Sequence, residues 1–180
     1  GRTGENFWGY QAHGIVPDMM TFAKGVGNGL ALGGVVGRAE VMEAMRAKSI
    51  STFGGNPIAS AGALATINYM LEHDTQKNSK EMGERLAKGI SKAVSDSSVI
   101  AETRGRGLMR AIETVIPDSI EPNAPAAGQL MEATRAAGLL IGKGGLYGNV
   151  IRIAPPMTVT ADEIDEGIAI LNAAIKDLDN

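Results

Sequence analysis

The sequence predicts an α/β or α+β protein in two unequal parts. Short apolar runs bounded by glycine or proline alternate with stretches in which apolar residues recur every three or four positions. A polar segment over residues 73–77 interrupts this alternation. At 180 residues the chain is long enough for one domain or two small ones. We therefore predict a first part over residues 1–75 and a second part over residues 76–180.

The first part is predicted to begin irregularly and then to form two strands and two helices. In chain order these are a strand over 19–23, a strand over 33–36, a helix over 39–47 and a helix over 57–72. Val41 and Met45 supply the apolar side of the first helix. Asn56 is a favourable N-cap residue and Pro57 suits the first turn, so the second helix is predicted to begin there.

The second part is predicted to alternate helix and strand. Its elements are a helix over 78–94, a strand over 108–114, a loop over 117–125 with a helix after it to residue 137, strands over 139–141 and 150–154, and a last helix. Residues 104–107 are interpreted as a turn that leads into the first of these strands. Thr160 and Glu163 form a capping box at the start of the last helix.

Composition excludes several classes of function. A formal net charge of −3 and few aromatic residues argue against a nucleic-acid partner. The chain has no cysteine, and His13 and His73 lie far apart, so no metal site is predicted. No apolar stretch reaches the roughly 20 residues that span a bilayer, so no membrane partner is expected. The chain does not begin with an initiator methionine, which indicates a processed or truncated product. Its polar start also lacks a signal peptide. We expect the protein in the cytoplasm or, in a eukaryote, in the mitochondrial matrix.

Lys24 is the first candidate site residue. It ends the apolar run over 19–23 and precedes a glycine-rich turn over 25–29. A lysine at the end of a buried strand is desolvated, and burial favours the neutral amine that attacks a carbonyl group. Leu30 breaks a G-x-G-x-x-G frame, and the lysine comes before the glycines rather than after them as in a P-loop. The pattern therefore favours a Schiff-base lysine over a nucleotide site.

Arg152 and Thr52 are two further candidates, each with an alternative. Alternation in the strand over 150–154 places Arg152 opposite its isoleucine neighbours, where it either grips a carboxylate in two parallel hydrogen bonds or points into water from an edge strand. Thr52 lies in a cluster of turn-forming residues just before a helix, which suits an anion site or an ordinary turn.

Blocks along nearly the whole chain resemble the class III pyridoxal-phosphate aminotransferases. In order they are Gly1-Arg2-Thr3-Gly4, Phe7-Trp8-Gly9-Tyr10, Ile15-Val16-Pro17-Asp18, Ala23-Lys24-Gly25-Val26-Gly27-Asn28-Gly29, Ser51-Thr52-Phe53-Gly54-Gly55-Asn56-Pro57, Arg104-Gly105-Arg106-Gly107-Leu108-Met109 and Ile151-Arg152-Ile153-Ala154-Pro155-Pro156. The blocks keep the order and spacing of that family. The segment around Trp8 is most similar to the alanine–glyoxylate (type 2) branch.

The resemblance implies a fold, a cofactor and three roles. The fold is the aspartate-aminotransferase type (fold type I), with residues 1–75 as the C-terminal part of the large domain and residues 76–180 as the small C-terminal α/β domain. Lys24 would form a Schiff base with pyridoxal 5'-phosphate and shuttle a proton at the substrate α-carbon. Thr52 would bind the cofactor phosphate across the subunit interface of a homodimer or higher homo-oligomer, and Arg152 would hold the carboxylate of an amino acid or 2-oxo acid.

The resemblance also shows what this sequence lacks. Family members are more than twice as long, and the acidic partner of the pyridine nitrogen and the phosphate cup lie before the point where this chain begins. We therefore expect a poorly active chain with apolar faces exposed on residues 1–70. Two alternatives stay open: a pyridoxal-phosphate decarboxylase or aminomutase of the same family, and a non-catalytic fragment that only oligomerises.

Overall fold

A four-stranded antiparallel sheet with helices on one face is the frame of the larger of two compact units. The computed structural model describes residues 1–179. The larger unit contains residues 1–7 and 75–179, and the smaller unit contains residues 8–74. No helix in the described part of the chain combines the length and the apolarity that a bilayer crossing requires.

The smaller unit contains a two-stranded antiparallel sheet and two helices. Its elements are β1 (Met19–Ala23), β2 (Gly33–Gly37), α1 (Ala39–Met42) and α2 (Pro57–Glu72), with 3₁₀ turns at Gly9–His13 and Lys24–Gly27. Both predicted strands and the second helix are confirmed. The Asn56 side chain accepts a hydrogen bond from the Ala59 N–H at 2.9 Å, which confirms the predicted N-cap.

Helix α1 is shorter than the sequence predicts. It ends at Met42 after one turn, whereas the apolar pattern indicated a helix to residue 47. Met45, which was to anchor its last turn, is exposed. Because a helix of two turns is marginal without an apolar face packed against a neighbour, nothing extends α1 beyond its first turn.

The larger unit contains three helices and the four-stranded sheet. Its elements are α3 (Thr75–Asp96), β3 (Ile100–Arg106), β4 (Met109–Thr114), α4 (Ala124–Ala136), β5 (Gly142–Gly144), β6 (Val150–Ile153) and α5 (Ala161–Leu178). The strand order is β3-β4-β6-β5, and every neighbouring pair is antiparallel. Thr160 and Glu163 form the predicted capping box of α5.

The hydrophobic core of this unit lies between the sheet and its helices. The side chains that are almost completely buried there are Leu86, Ile90, Leu108, Ile112, Leu130, Ile151, Leu171 and Ile175. Burial of each aliphatic side chain of this size contributes on the order of 1.5–3 kcal/mol. Within the described residues, no helix of this unit packs on the opposite face, which carries Ala111, Glu113 and Arg152 and is called the helix-free face.

Two predictions for this unit are wrong. Residues 104–106, interpreted as a turn, form the end of β3 and pair with residues 109–111, so the sequence analysis missed this strand. The predicted strand over 139–141 does not form, and β5 begins at Gly142 instead. The strand forms over residues 142–144 because these are the residues that pair with β6 in the observed register.

A close approach of two glycines joins α3 to the turn between β3 and β4. A Cβ atom added to Gly83 would lie 2.1 Å from the Gly107 carbonyl oxygen. Gly107 has a φ of +50°, and its own Cβ would lie 2.5 Å from the Arg2 carbonyl oxygen. Only residues without side chains therefore allow the helix, the turn and the N-terminal segment to pack at this distance.

We predict opposite effects for alanine at two helical glycines. Gly83→Ala should lower the free energy of unfolding by about 1–3 kcal/mol, because the added methyl group displaces backbone atoms. Gly167→Ala in α5 is the matched control: its Cβ meets nothing within 4 Å, so alanine should raise the free energy of unfolding by about 0.5–1 kcal/mol. Urea denaturation of both variants measures the difference, and equal shifts would contradict the packing described.

Candidate active site

Lys24 directly follows β1 and adopts an unusual backbone conformation. Its φ is +58°, in the left-handed region that residues with a side chain rarely occupy. Its N–H donates a hydrogen bond to the Leu32 carbonyl oxygen at 3.3 Å, and Asn28 also has a positive φ. The chain therefore turns sharply away from the strand at the lysine itself, at a cost on the order of 1 kcal/mol.

The Lys24 side chain is exposed, so the expected burial of this residue is wrong. The reason lies in β1, which pairs with β2 alone and buries none of its residues fully. Within residues 1–179 the Lys24 ammonium group makes no hydrogen bond or ion pair with another side chain, so protein groups do not compete for it.

An open cavity of about 380 Å³ lies beside the segments that carry Lys24 and Thr52. It is lined by Phe22, Ala31, Leu32, Gly33, Ser51, Phe53, Gly54, Gly55, Asn56 and Ala59. Phe22 lies two residues before Lys24, while Ser51 and Phe53 flank Thr52. None of these lining side chains is acidic or basic.

Thr52 lies in the turn that precedes α2. The turn is held by a hydrogen bond from the Asn56 side-chain amide to the Phe53 carbonyl oxygen at 2.9 Å. Thr52 itself is exposed. Its hydroxyl group makes no hydrogen bond within residues 1–179 and lies four residues before the Asn56 cap, close to the positive end of a 16-residue helix.

Arg152 belongs to the larger unit and lies on the helix-free face of the sheet. Ile151 and Ile153 are 0% and 6% exposed on the other face, as the alternation predicts, whereas Arg152 is exposed. Strand β6 lies between β4 and β5, so the edge-strand interpretation is wrong. Residues 1–179 offer the Arg152 guanidinium group no hydrogen bond or ion pair.

The class III aminotransferase model matches residues 1–175, almost the whole chain. The chain belongs to the class III aminotransferase family. Enzymes of this family depend on pyridoxal phosphate, and the fold is that of the fold type I pyridoxal-phosphate transferases.

Several curated relatives of this class III chain are named as aminotransferases. It is 40% identical to an alanine–glyoxylate aminotransferase 2 homologue, mitochondrial, of Arabidopsis thaliana, over 91% of this chain and 35% of that protein. It is 38% identical to a 5-aminovalerate aminotransferase of Pseudomonas putida, over 99% of this chain and 42% of that protein. The chain thus spans well under half the length of these relatives.

A solved structure shares the same fold. A phospholyase from Arthrobacter, in complex with phosphoethanolamine, superposes with a TM-score of 0.89 and 30% identity, over 97% of this chain and 42% of that one. Residues 1–179 contain no group of three or more His, Asp or Glu side chains that could hold a metal ion.

Sequence reasoning missed two charged neighbours of Arg152 in this class III chain, Arg104 and Glu113. Glu113 forms an ion pair with Arg104 and accepts a hydrogen bond from the Asn149 side-chain amide at 3.1 Å. These contacts, the one to Arg104 first, hold the pKa of Glu113 below its usual range. Alternation within β4 places Glu113 on the face of Arg152, but the strand order is needed to make them neighbours.

Proposed function

We propose that this chain carries site residues for pyridoxal-phosphate-dependent transamination between an amino donor and a 2-oxo acid. The observation that carries the proposal is the amine of Lys24, which directly follows β1, has no side-chain partner within residues 1–179, and lies two residues after Phe22 in the lining of the open cavity. Its membership of the class III family supports the same reaction.

The residues around the cavity fit an aromatic aldehyde with a phosphate group. Glycines at positions 33, 54 and 55 leave room for a flat ring against the backbone. Lys24 offers an amine for covalent attachment in its own subunit, and Thr52 offers a hydroxyl group near a helix N-terminus for the phosphate of the cofactor held by the partner subunit. When bound, the cofactor supplies an electron sink that stabilises negative charge on the substrate α-carbon.

The roles of Lys24 and Arg152 follow from their chemistry. Lys24 Nζ would hold the cofactor and, once released, would take the proton from the substrate α-carbon and deliver it to the C4′ carbon of the cofactor. Arg152 donates two parallel N–H groups to the substrate carboxylate, a geometry that a lysine cannot reproduce. We assign residues 1–75 to the large cofactor-binding domain and residues 76–180 to the small C-terminal domain.

We propose low activity for the 180 residues alone. Ring protonation makes the cofactor an electron sink and calls for an acidic partner, yet no side chain that lines the cavity is acidic. Lys24 is also exposed, so no surrounding protein excludes water from its amine. Both features weaken catalysis without preventing cofactor attachment.

We also propose a homodimer in which Thr52 serves the partner subunit's site. Large apolar side chains of the smaller unit are exposed, among them Val16, Met45, Ile50, Phe53, Ile58, Leu64 and Leu71. Surfaces of this kind usually bind another protein surface.

For the compartment we propose the cytoplasm or the mitochondrial matrix. The mitochondrial name of one relative supports this proposal, and cell fractionation tests it.

Cofactor attachment is tested by reductive trapping. After equimolar pyridoxal phosphate and borohydride, mass spectrometry of peptides should find the adduct mainly on Lys24 and several-fold less on the exposed control Lys143. Lys24→Gly should lose the main adduct while the chain stays folded, because glycine adopts a φ of +58° without strain. Equal labelling of both lysines in the wild-type chain would overturn the assignment of Lys24.

Turnover is tested with alanine, glyoxylate and pyridoxal phosphate. The 180-residue chain should form pyruvate at rates far below the usual 1–1000 s⁻¹ of enzymes. Ordinary rates would contradict the proposal of low activity. Release of carbon dioxide in place of a keto acid would indicate the decarboxylase alternative, and the absence of any absorbance change with pyridoxal phosphate would indicate a non-catalytic fragment.

Association is tested by sedimentation velocity at micromolar concentration. We expect a dimer of the 18.7 kDa chain. Leu64→Glu and Leu71→Glu, placed on the exposed side of α2, should shift the dimer towards monomer because they bury a charge in the interface. A wild-type chain that sediments as a monomer would refute this proposal.

A further inference from the structure

Glu113 lies diagonally between two arginines on the helix-free face. In the strand register Ala111 of β4 is opposite Arg104 on one side and opposite Arg152 on the other. Glu113 follows two residues later on the same face. It is therefore a diagonal neighbour of both arginines, at about 7–8 Å between Cα atoms, which long side chains can span.

Glu113 pairs with Arg104 and leaves Arg152 without a partner within residues 1–179. Glu102 of β3 is directly opposite Glu113 in register, and two carboxylates in this position repel each other. Arg104 Nη1 bonds both of them and lies 2.6 Å from Glu102 Oε1. The positive charge of Arg104 therefore offsets the repulsion between these two carboxylates.

Asn149 fixes the second carboxylate oxygen of Glu113. Its side-chain amide donates to Glu113 Oε1 at 3.1 Å and to the Thr114 carbonyl oxygen at 2.9 Å. Asn149 is 2% exposed, and its backbone carbonyl oxygen lies 3.0 Å from the Thr114 hydroxyl, which can donate a hydrogen bond to it. Both Glu113 oxygens are therefore engaged, one by Arg104 and one by a rigid buried amide.

The stem of Arg152 lies towards β5 rather than towards Glu113. A Cβ added to Gly144 would be 3.7 Å from Arg152 Cδ, and one added to Gly142 would be 3.9 Å from Arg152 Cβ. The register neighbours of Arg152 are Ala111 and Gly142, which carry no polar group. Because these two neighbours have no polar side chain, they do not bind the guanidinium group, which can therefore bind an external anion.

We propose that Arg104 is a positioning residue that holds Glu113 and thereby keeps Arg152 free for a carboxylate ligand. The inference rests on the proposed role of Arg152 in binding the substrate carboxylate. An ion pair between Glu113 and Arg152 would occupy the same guanidinium N–H groups that the ligand requires, so it would compete directly with binding. By pairing with Glu113, Arg104 keeps that carboxylate from pairing with Arg152.

The test measures pyruvate binding to the 180-residue chain by NMR, followed at the Arg152 Nε–H resonance. Arg104→Gln should raise the dissociation constant about three- to fivefold, the range of an exposed ion pair, and should shift the Arg152 resonance before any ligand is added. Arg104→Gln combined with Glu113→Gln should restore the wild-type dissociation constant. Arg106→Gln, which removes the β3 arginine paired with Glu5, is the matched control and should change neither.

Each outcome separates the inference from the proposed function. If Arg152→Gln loses binding while Arg104→Gln binds as the wild type does, the role of Arg104 is overturned and the role of Arg152 stands. Failure of the double variant to recover also overturns it. If Arg152→Gln binds pyruvate unchanged, or the wild type binds none, the carboxylate role of Arg152 is overturned, and the shift of the Arg152 resonance in Arg104→Gln still decides whether Glu113 moves to Arg152.

Discussion

The burial of Ile151 and Ile153 is the constraint on which the arrangement of charges depends. Side chains alternate along a strand, so when two isoleucines of a four-residue strand pack against the helices, the arginine between them must lie on the opposite face. A shift of one residue would place a guanidinium group in the core and two isoleucines in water. The same alternation in β4, where Ile112 is buried, brings Glu113 to the face of Arg152.

The parts of the fold that the sequence predicts correctly are those with local signals. Helix α2 begins at the predicted residue because Asn56 and Pro57 are adjacent in sequence, and the cap that they form needs no tertiary contact. Helix α5 follows from its capping box and apolar stripe. The exposure of Arg152 opposite two isoleucines also follows from a period of two.

The predictions that fail depend on partners distant in sequence. Strand β3 contains Gly105 between two arginines, which is typical of a turn, and only pairing with β4 makes it a strand. The exposure of Lys24 could not be deduced from the apolar run before it, because burial of β1 depends on what covers the two-stranded sheet. The contact between Arg104 and Glu113 likewise requires a register that no local pattern specifies.

The two units differ in how much of the chain they bury. The smaller unit fully buries only Ala59 and Ala63 among its hydrophobic residues, whereas the larger unit has a continuous core beneath its sheet. A two-stranded sheet with little apolar burial is marginal by itself. Local opening should therefore begin around β1 and β2, so the peptide amides next to Lys24 would exchange with solvent deuterium well before those of β4 and β6. Lys24, the proposed Schiff-base residue, thus belongs to the less stable unit, and Arg152, the proposed carboxylate-binding residue, belongs to the more stable one.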